Sequence, residues 1–321
     1  MALAVLHSAE EWIARGGAER KPVVVTIGNF DGVHRGHQEI LGRVVERAAK
    51  QDLLGAVLTF DPHPARVLRP AAAPLLLTTL EQRLHAFDEA GIAAALVMRF
   101  DLEVAKISAE DFVRRFLVEA MRAQVVLVGG NFRFGHRQAG DVKLLTELGR
   151  QYGFEVEVVP PVVEAGTVVS STAVRAAVRE GRMEDAATLL GRPFALKGEI
   201  RTGTGQGRKL VVPTLNLATE QECLPKNGVY VTETSVRGKT YRSVTNVGVR
   251  PTFDGTRLAI ESHLFGFSED VTSGRMEIRF RTRLRDEQKF AGPEALREQI
   301  LRDIERAQHY FEVTVKTPAN Q

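Results

Sequence analysis

From Val23 to Ile27 the chain runs Val-Val-Val-Thr-Ile, the signature of a strand buried on both faces. Behind it, Ile40, Leu41, Val44, Val45 and Ala48 recur at helical spacing. The alternation then repeats, with a strand over Ala56–Phe60, a helix marked by Leu80, Leu84 and Phe87, and a strand over Ala94–Met98. Ser108, with Asp111 three residues on, is placed to cap a helix whose Phe112, Phe116 and Leu117 share a face. Val125–Val128 and Val156–Val159 are two further strand-like runs. Strands alternating with helices predict a parallel, doubly wound α/β sheet.

The pattern changes after residue 190. Gly228–Thr232, Arg242–Val247 and Arg275–Phe280 are short strand-like segments separated by glycine turns. They predict an antiparallel barrel or sandwich. A helix then follows, with Pro293 in its first turn and Leu296, Ile300, Ile304, Ala307 and Phe311 along one face. The change falls near Gly191-Arg192-Pro193, so two domains are expected, 1–190 and 191–321. No internal repeat is visible, and the halves have different periods.

Composition narrows the partners. A 321-residue chain with 44% hydrophobic and 26% charged residues can bury two cores. Its net charge is +3, from 43 basic and 40 acidic residues, without a long run of like charge. That argues against nucleic acid and suits an enzyme acting on anionic phosphates. The single Cys223 excludes an intrachain disulfide and a multi-cysteine metal site. Met1–Leu6 is too short for a signal or membrane segment and no later stretch is apolar enough, so a cytoplasmic protein without a membrane partner is expected.

The first candidate site is the loop Gly28–His37, between a buried strand and a helix N-terminus. Free N–H groups and the positive end of the helix dipole suit a phosphate there. Gly28, Gly32 and Gly36 allow close approach of backbone to a ligand, and His34 and His37 can point the same way. Two imidazoles can then donate to charge developing on an α-phosphate or a leaving pyrophosphate. Further on, Ser170-Ser171-Thr172 precede Arg175. Ser171 or Thr172 can cap the next helix, and hydroxyls, N–H groups and a guanidinium together make a second phosphate clamp. Alone, that segment reads as an ordinary cap.

The His34-x-Gly36-His37 loop and Ser171-Thr172-x-x-Arg175 resemble the HxGH nucleotidyltransferases. Two segments between them, Leu58–Pro64 and Gly129–Gly135, resemble the flavin-binding segments of the bacterial bifunctional riboflavin kinase/FMN adenylyltransferase (FAD synthetase) family. The resemblance implies a Rossmann-like N-terminal domain with a parallel sheet. His34, His37, Ser171 and Arg175 would act on the phosphates. Gly28, Phe30, Gly32, Gly36, Ser170 and Thr172 would contact ATP. Phe60, Pro62, His63 and Pro64 would wall a flavin ring, and Asn131 would meet its polar edge, where many members carry Asp.

In the second half, Gly203, Gly205 and Gly207 suggest a phosphate loop. The Walker pattern fails, because Leu210-Val211-Val212-Pro213 follows instead of a helix. What remains is a glycine loop able to drape over phosphates. Thr214 and Asn216 alternate onto one face of an extended strand, and both offer hard oxygen ligands suited to Mg²⁺ with ATP. Glu261 can accept a proton from an attacking hydroxyl, although by pattern alone a solvent-facing strand glutamate is the plainer reading.

These residues resemble the flavokinase module of the same family, which implies a Greek-key barrel closed by a C-terminal helix. The match runs through Gly207-Arg208, with Arg208 among the ATP contacts, Pro213–Asn216, Asn227–Tyr230, Asn246–Phe253 and Glu261, and resumes at Leu284-Arg285. Departures fall at Val211, Val212, Gly266 and Ser273. The function so implied is phosphorylation of riboflavin by ATP, then adenylylation of FMN to FAD with release of pyrophosphate. The alternatives are a chain with one active module, or a flavin-binding regulatory protein without catalysis.

Overall fold

The computed structural model describes residues 2–16, 21–201, 212–252 and 255–316. It separates into two compact units, Met1–Ser171 and Thr172–Gln321.

The first unit begins with β1 (Ala4–Leu6) and α1 (Ala9–Gly16), continues with β2 (Val23–Ile27) and α2 (Arg35–Gln51), and then β3 (Leu54–Asp61) with the short α3 (Pro64–Leu68). Next come α4 (Leu80–Glu89), β4 (Ala94–Arg99) and α5 (Ala109–Phe112), which runs on as a π-wound turn over Val113–Ala120. β5 (Ala123–Gly129), α6 (Val142–Tyr152), β6 (Glu155–Val159) and the hairpin β7 (Val163–Glu164) and β8 (Thr167–Val168) complete it. The six-stranded sheet has the order β1-β4-β3-β2-β5-β6, every pair parallel. The expected strands are all present. β1 is an addition, three residues too short to show a period, paired on β4 through Ala4–Ala94 and Leu6–Leu96.

Both faces of this sheet are covered, as the unbroken apolar runs require. Val23, Val25 and Ile27 pack with Trp12, Leu117, Leu145 and Leu148 on one side. Val24 packs with Leu41, Val44 and Phe87 on the other. Ser108 caps its helix as expected, its hydroxyl accepting from the Asp111 N–H at 3.0 Å. From β2 the chain winds outward through β3 to β4, then returns to place β5 on the opposite side of β2. The carboxyl ends of β2 and β5 therefore flank a topological switch point, where open α/β sheets form their ligand crevice.

The second unit opens with α7 (Ser171–Glu180), whose first residue belongs to the unit before, and α8 (Met183–Leu190). β9 (Ala195–Arg201), β10 (Leu215–Ala218), β11 (Gly228–Val236), β12 (Lys239–Thr252), β13 (Gly255–Leu264) and β14 (Arg275–Arg285) follow, then α9 (Pro293–Lys316). The six strands close into a barrel in the order β10-β13-β12-β11-β14-β9, which decides between barrel and sandwich. Ile304, Ala307 and Phe311 of α9 cover Val229, Val231 and Val244 on the outer wall. Inside, Thr232, Ser243, Thr234, Ser262 and Thr245 form a closed ring of hydroxyl hydrogen bonds 2.7–3.0 Å long. Each hydroxyl can donate once and accept once around the ring, so a fully buried polar cluster is satisfied without water.

Candidate functional site

The loop after β2 is held in an unusual backbone path. Phe30 has φ 52° and Val33 φ 40°, both left-handed. For the β-branched Val33 this is a costly conformation, kept where surrounding structure over-determines it. The surroundings do so here. Phe30 and Val33 are buried, and Val33 is bonded at both ends, its N–H to the Phe30 carbonyl and its carbonyl to Gln38 Nε2. The strained path brings His34 to the cap of α2, where its Nδ1 accepts from the His37 N–H at 3.3 Å.

As an acceptor, Nδ1 of His34 carries a lone pair, which leaves the ring proton on Nε2 as a donor. The two imidazoles stack with centroids 3.6 Å apart at 15°, so they do point the same way. Gly36 lies against the His34 ring, where an added Cβ would come within 3.3 Å of Cε1 and Nδ1. His37 is half-buried, with Phe30 5.1 Å from its ring, and its Nδ1 makes no hydrogen bond among the described residues. Desolvation, followed by the neighbouring His34, holds its pKa well below the ordinary 6.5, so the imidazole is neutral. The first turn of α2 carries no acidic residue, and its leading N–H groups have no partner within the helix. Neutral donors at a positive helix end can bind a polyphosphate and offset charge that grows on it.

The two flavin-like segments sit beside this loop. Phe60 is the penultimate residue of β3, the strand paired with β2 on one side, and Gly129 ends β5 on the other, with Gly130-Asn131 following it. Phe60 is half-buried, edge-on to Phe100 at 5.7 Å, and Asn131 is exposed. Pro62 follows a cis Asp61–Pro62 bond and is exposed. His63 caps α3 through Nδ1, which accepts from Ala65 N–H at 3.1 Å, and Pro64 occupies the first turn. These last two residues therefore also build the turn that ends the strand.

Ser171 differs from expectation. The helix begins at Ser171 itself, so Ser170 takes the preceding position and neither Ser171 nor Thr172 is its cap. The Ser171 hydroxyl instead donates to the Asp31 carbonyl at 2.9 Å, reaching back to the histidine loop. Thr172 and Arg175 follow on the first turns of α7.

Leu77, Thr78 and Arg83, which hold the loop, belong to no motif. The buried Asp31 carboxylate accepts from Leu77 N–H at 3.0 Å and from the N–H and hydroxyl of Thr78 at 3.1 and 3.2 Å. Gly32 N–H donates to the Thr78 hydroxyl at 2.9 Å. Arg83, only 3% exposed, donates to the Asn29 carbonyl at 2.9 Å and to Thr59 Oγ1, the Phe60 carbonyl and Asp61 Oδ1, each at 3.3 Å. An Asp in a glycine-rich loop is a turn signal, and here it is also an anchor.

In the barrel, strand register assembles a second cluster. Glu261 of β13 lies opposite Asn216 of β10 on one side and Asn246 of β12 on the other. Directly opposed residues share a face of the wall, here the outer one, since Ile260 and Ser262 beside Glu261 are buried and Glu261 is half-buried. Thr214 stands just before β10, and a His263 ring nitrogen lies 2.9 Å from the Pro213 carbonyl, tying that segment to β13. Gly203, Gly205, Gly207, Arg208 and Val211 lie outside the described residues. Gly266 sits in a turn at φ 71°, a conformation that favours glycine. Among the described residues, no group of three or more His, Cys, Asp or Glu gathers as a metal site.

Two family models match the chain, FAD synthetase over residues 17–173 and riboflavin kinase over residues 190–311. The bifunctional riboflavin kinase/FMN adenylyltransferase of Escherichia coli (strain K12) is 37% identical over 298 residues, 92% of this chain and 95% of that protein. The protein of the same name from Pseudomonas fluorescens is 39% identical over 290 residues, 90% and 93% of the two chains. A crystal structure described as a macrolide-efflux protein from Streptococcus pneumoniae has the same fold, with a TM-score of 0.84 and 27% identity over 96% of this chain and 99% of that one. Among the described residues, no helix of this chain is long and apolar enough to cross a membrane.

Proposed function

The chain belongs to the bifunctional riboflavin kinase/FMN adenylyltransferase family, and on that premise we propose which residues carry each of its two reactions. It is an enzyme of flavin cofactor synthesis, phosphorylating riboflavin with ATP to FMN and adenylylating FMN with a second ATP to FAD. We assign adenylylation to residues 1–190 and the kinase to 191–321. Small-molecule substrates in the cytoplasm are the only partners this reading needs.

In adenylyl transfer, an FMN phosphate oxygen attacks the ATP α-phosphorus, the bond to the β-phosphate breaks, and pyrophosphate leaves. The stacked histidines at the positive end of α2 carry this assignment. His34 Nε2–H and the neutral His37 offer hydrogen bonds to the charge that develops, with Arg175 as the cation and Ser170 and Thr172 as further donors. Gly28, Phe30, Gly32 and Gly36 shape the cradle for ATP, and Phe60, Pro62, His63, Pro64 and Asn131 face the flavin. Ser171, whose hydroxyl is engaged with Asp31, serves the site by bracing the loop.

In the kinase, a ribityl hydroxyl attacks the γ-phosphorus, its proton passes to Glu261, and ADP departs. Asn216, opposite that carboxylate, and Thr214, two residues before Asn216, supply neutral, hard oxygen donors, a set that fits Mg²⁺. When bound with ATP, the ion offsets phosphate charge. Gly203, Gly205, Gly207 and Arg208 are the expected phosphate loop.

The test is a time course of separated flavins from purified protein with riboflavin, ATP and Mg²⁺. Glu261→Ala is expected to abolish FMN formation and keep FAD formation from supplied FMN, and His37→Ala to do the reverse. Loss of both activities in either variant would count against separate sites.

A further inference from the structure

The segment 77–83 is bonded to two neighbouring strand ends at once. At its start, the N–H groups of Leu77 and Thr78 hold Asp31 of the histidine loop. At its end, Arg83 reaches that loop at the Asn29 carbonyl and the end of β3 at Thr59, Phe60 and Asp61. An enclosed guanidinium is costly to keep, and both terminal nitrogens of this one are engaged by acceptors of the histidine loop and of the end of β3. Its planar fork sends NH1 to three acceptors and NH2 to a fourth, which a single ammonium nitrogen cannot span in the same way.

We propose that Arg83 is a positioning residue for adenylyl transfer, locking the nucleotide loop against the flavin-binding segment so that the acceptor phosphate and the ATP α-phosphorus stay in line. The inference rests on the reading of residues 28–37 and 58–64 given above. Transfer between two separately held substrates is sensitive to their mutual placement, and an error of about 1 Å costs on the order of a hundredfold in rate. Each loop keeps its own ligand contacts without Arg83. The loss therefore falls on kcat and not on KM.

The experiment measures steady-state FAD formation from FMN and ATP, and FMN formation from riboflavin, on full-length Arg83→Met, Arg83→Lys, Asp61→Asn and His37→Ala proteins. Arg83→Met is expected to lose about a hundredfold in kcat for FAD formation. Both KM values should stay within about threefold, and FMN formation should be unchanged. Arg83→Lys should recover part of the loss, and Asp61→Asn, which removes one acceptor charge and leaves the backbone intact, should show a smaller loss of the same kind. Should Arg83→Met fail to fold, Arg83→Lys and Asp61→Asn decide the question. Unchanged kcat in both, or a loss carried by KM, overturns the proposal. An active His37→Ala protein would show that the site reading has failed, and the proposal would fall with it.

Discussion

Replacing Asp31 tests whether the histidine loop depends on a single buried carboxylate. Oδ1 accepts from Leu77 N–H at 3.0 Å, Thr78 N–H at 3.1 Å and the Thr78 hydroxyl at 3.2 Å, and Oδ2 shares the Leu77 N–H at 3.2 Å. Asp31→Ala leaves two buried N–H groups without that acceptor, at about 1–3 kcal/mol each, while the hydroxyl can turn elsewhere. The expected cost is about 4 kcal/mol, a large share of the total of about 5–15 kcal/mol typical of a domain. For a unit of this size each kcal/mol moves the midpoint by about 2–4 °C, so its melting should fall by roughly 8–16 °C. Asp31→Asn retains an oxygen for the same three donors and should cost only about 1–2 kcal/mol. Calorimetry of the full chain reads the shift, and FAD formation should fall in step while FMN formation persists. An Ala variant that melts within about 2 °C of the parent, or an Asn variant as damaged as Ala, would show that the loop does not depend on that carboxylate.

Other perturbations follow from the same geometry. Asp303 is 3% exposed and takes three hydrogen bonds from Arg285 and one from Gln299, so Asp303→Ala strands a cation and should cost about 3–5 kcal/mol, read as loss of kinase activity and a lower melting point. Gly198→Ala would drive its Cβ into the Ala218 carbonyl across the β9–β10 pair; the barrel should fail in FMN formation, while FAD formation from FMN continues. His37 has a folded pKa below its unfolded 6.5, so the unfolded chain takes up the proton first. Its contribution to stability is therefore whole above that value and is lost as pH falls toward the folded pKa, by at most about 1.4 kcal/mol per pH unit. His37→Gln should flatten the fall in melting temperature between about pH 6.5 and 5, and an unchanged slope would contradict the assignment.

The parallel sheet, the histidine loop and the change of period past residue 190 were legible in the chain because they rest on local signals. Apolar runs, glycine spacing and helical recurrence are set by residues a few positions apart. That His34 and His37 point the same way belongs to the same class, since a spacing of three at a helix start allows it, whereas the stacking of their rings came from the structure. By contrast, Arg83 stands in Leu80–Phe87 as an unremarked helix arginine, and its acceptors lie 22–54 residues away. The Thr78 partner of Asp31 is 47 residues distant, and the neighbours of Glu261 come from two other strands. Such pairings depend on strand order and register, which periodicity leaves open. The helix opened by Ser171 shows the remaining limit. Its existence was plain from the pattern, but whether that serine capped the helix or braced Asp31 turned on one residue of boundary. Local pattern along the chain is enough to set the kinds of element and the chemistry at their ends. Which distant groups hold those ends in place is settled by packing, because buried polar atoms take whatever partner the packed fold brings within reach.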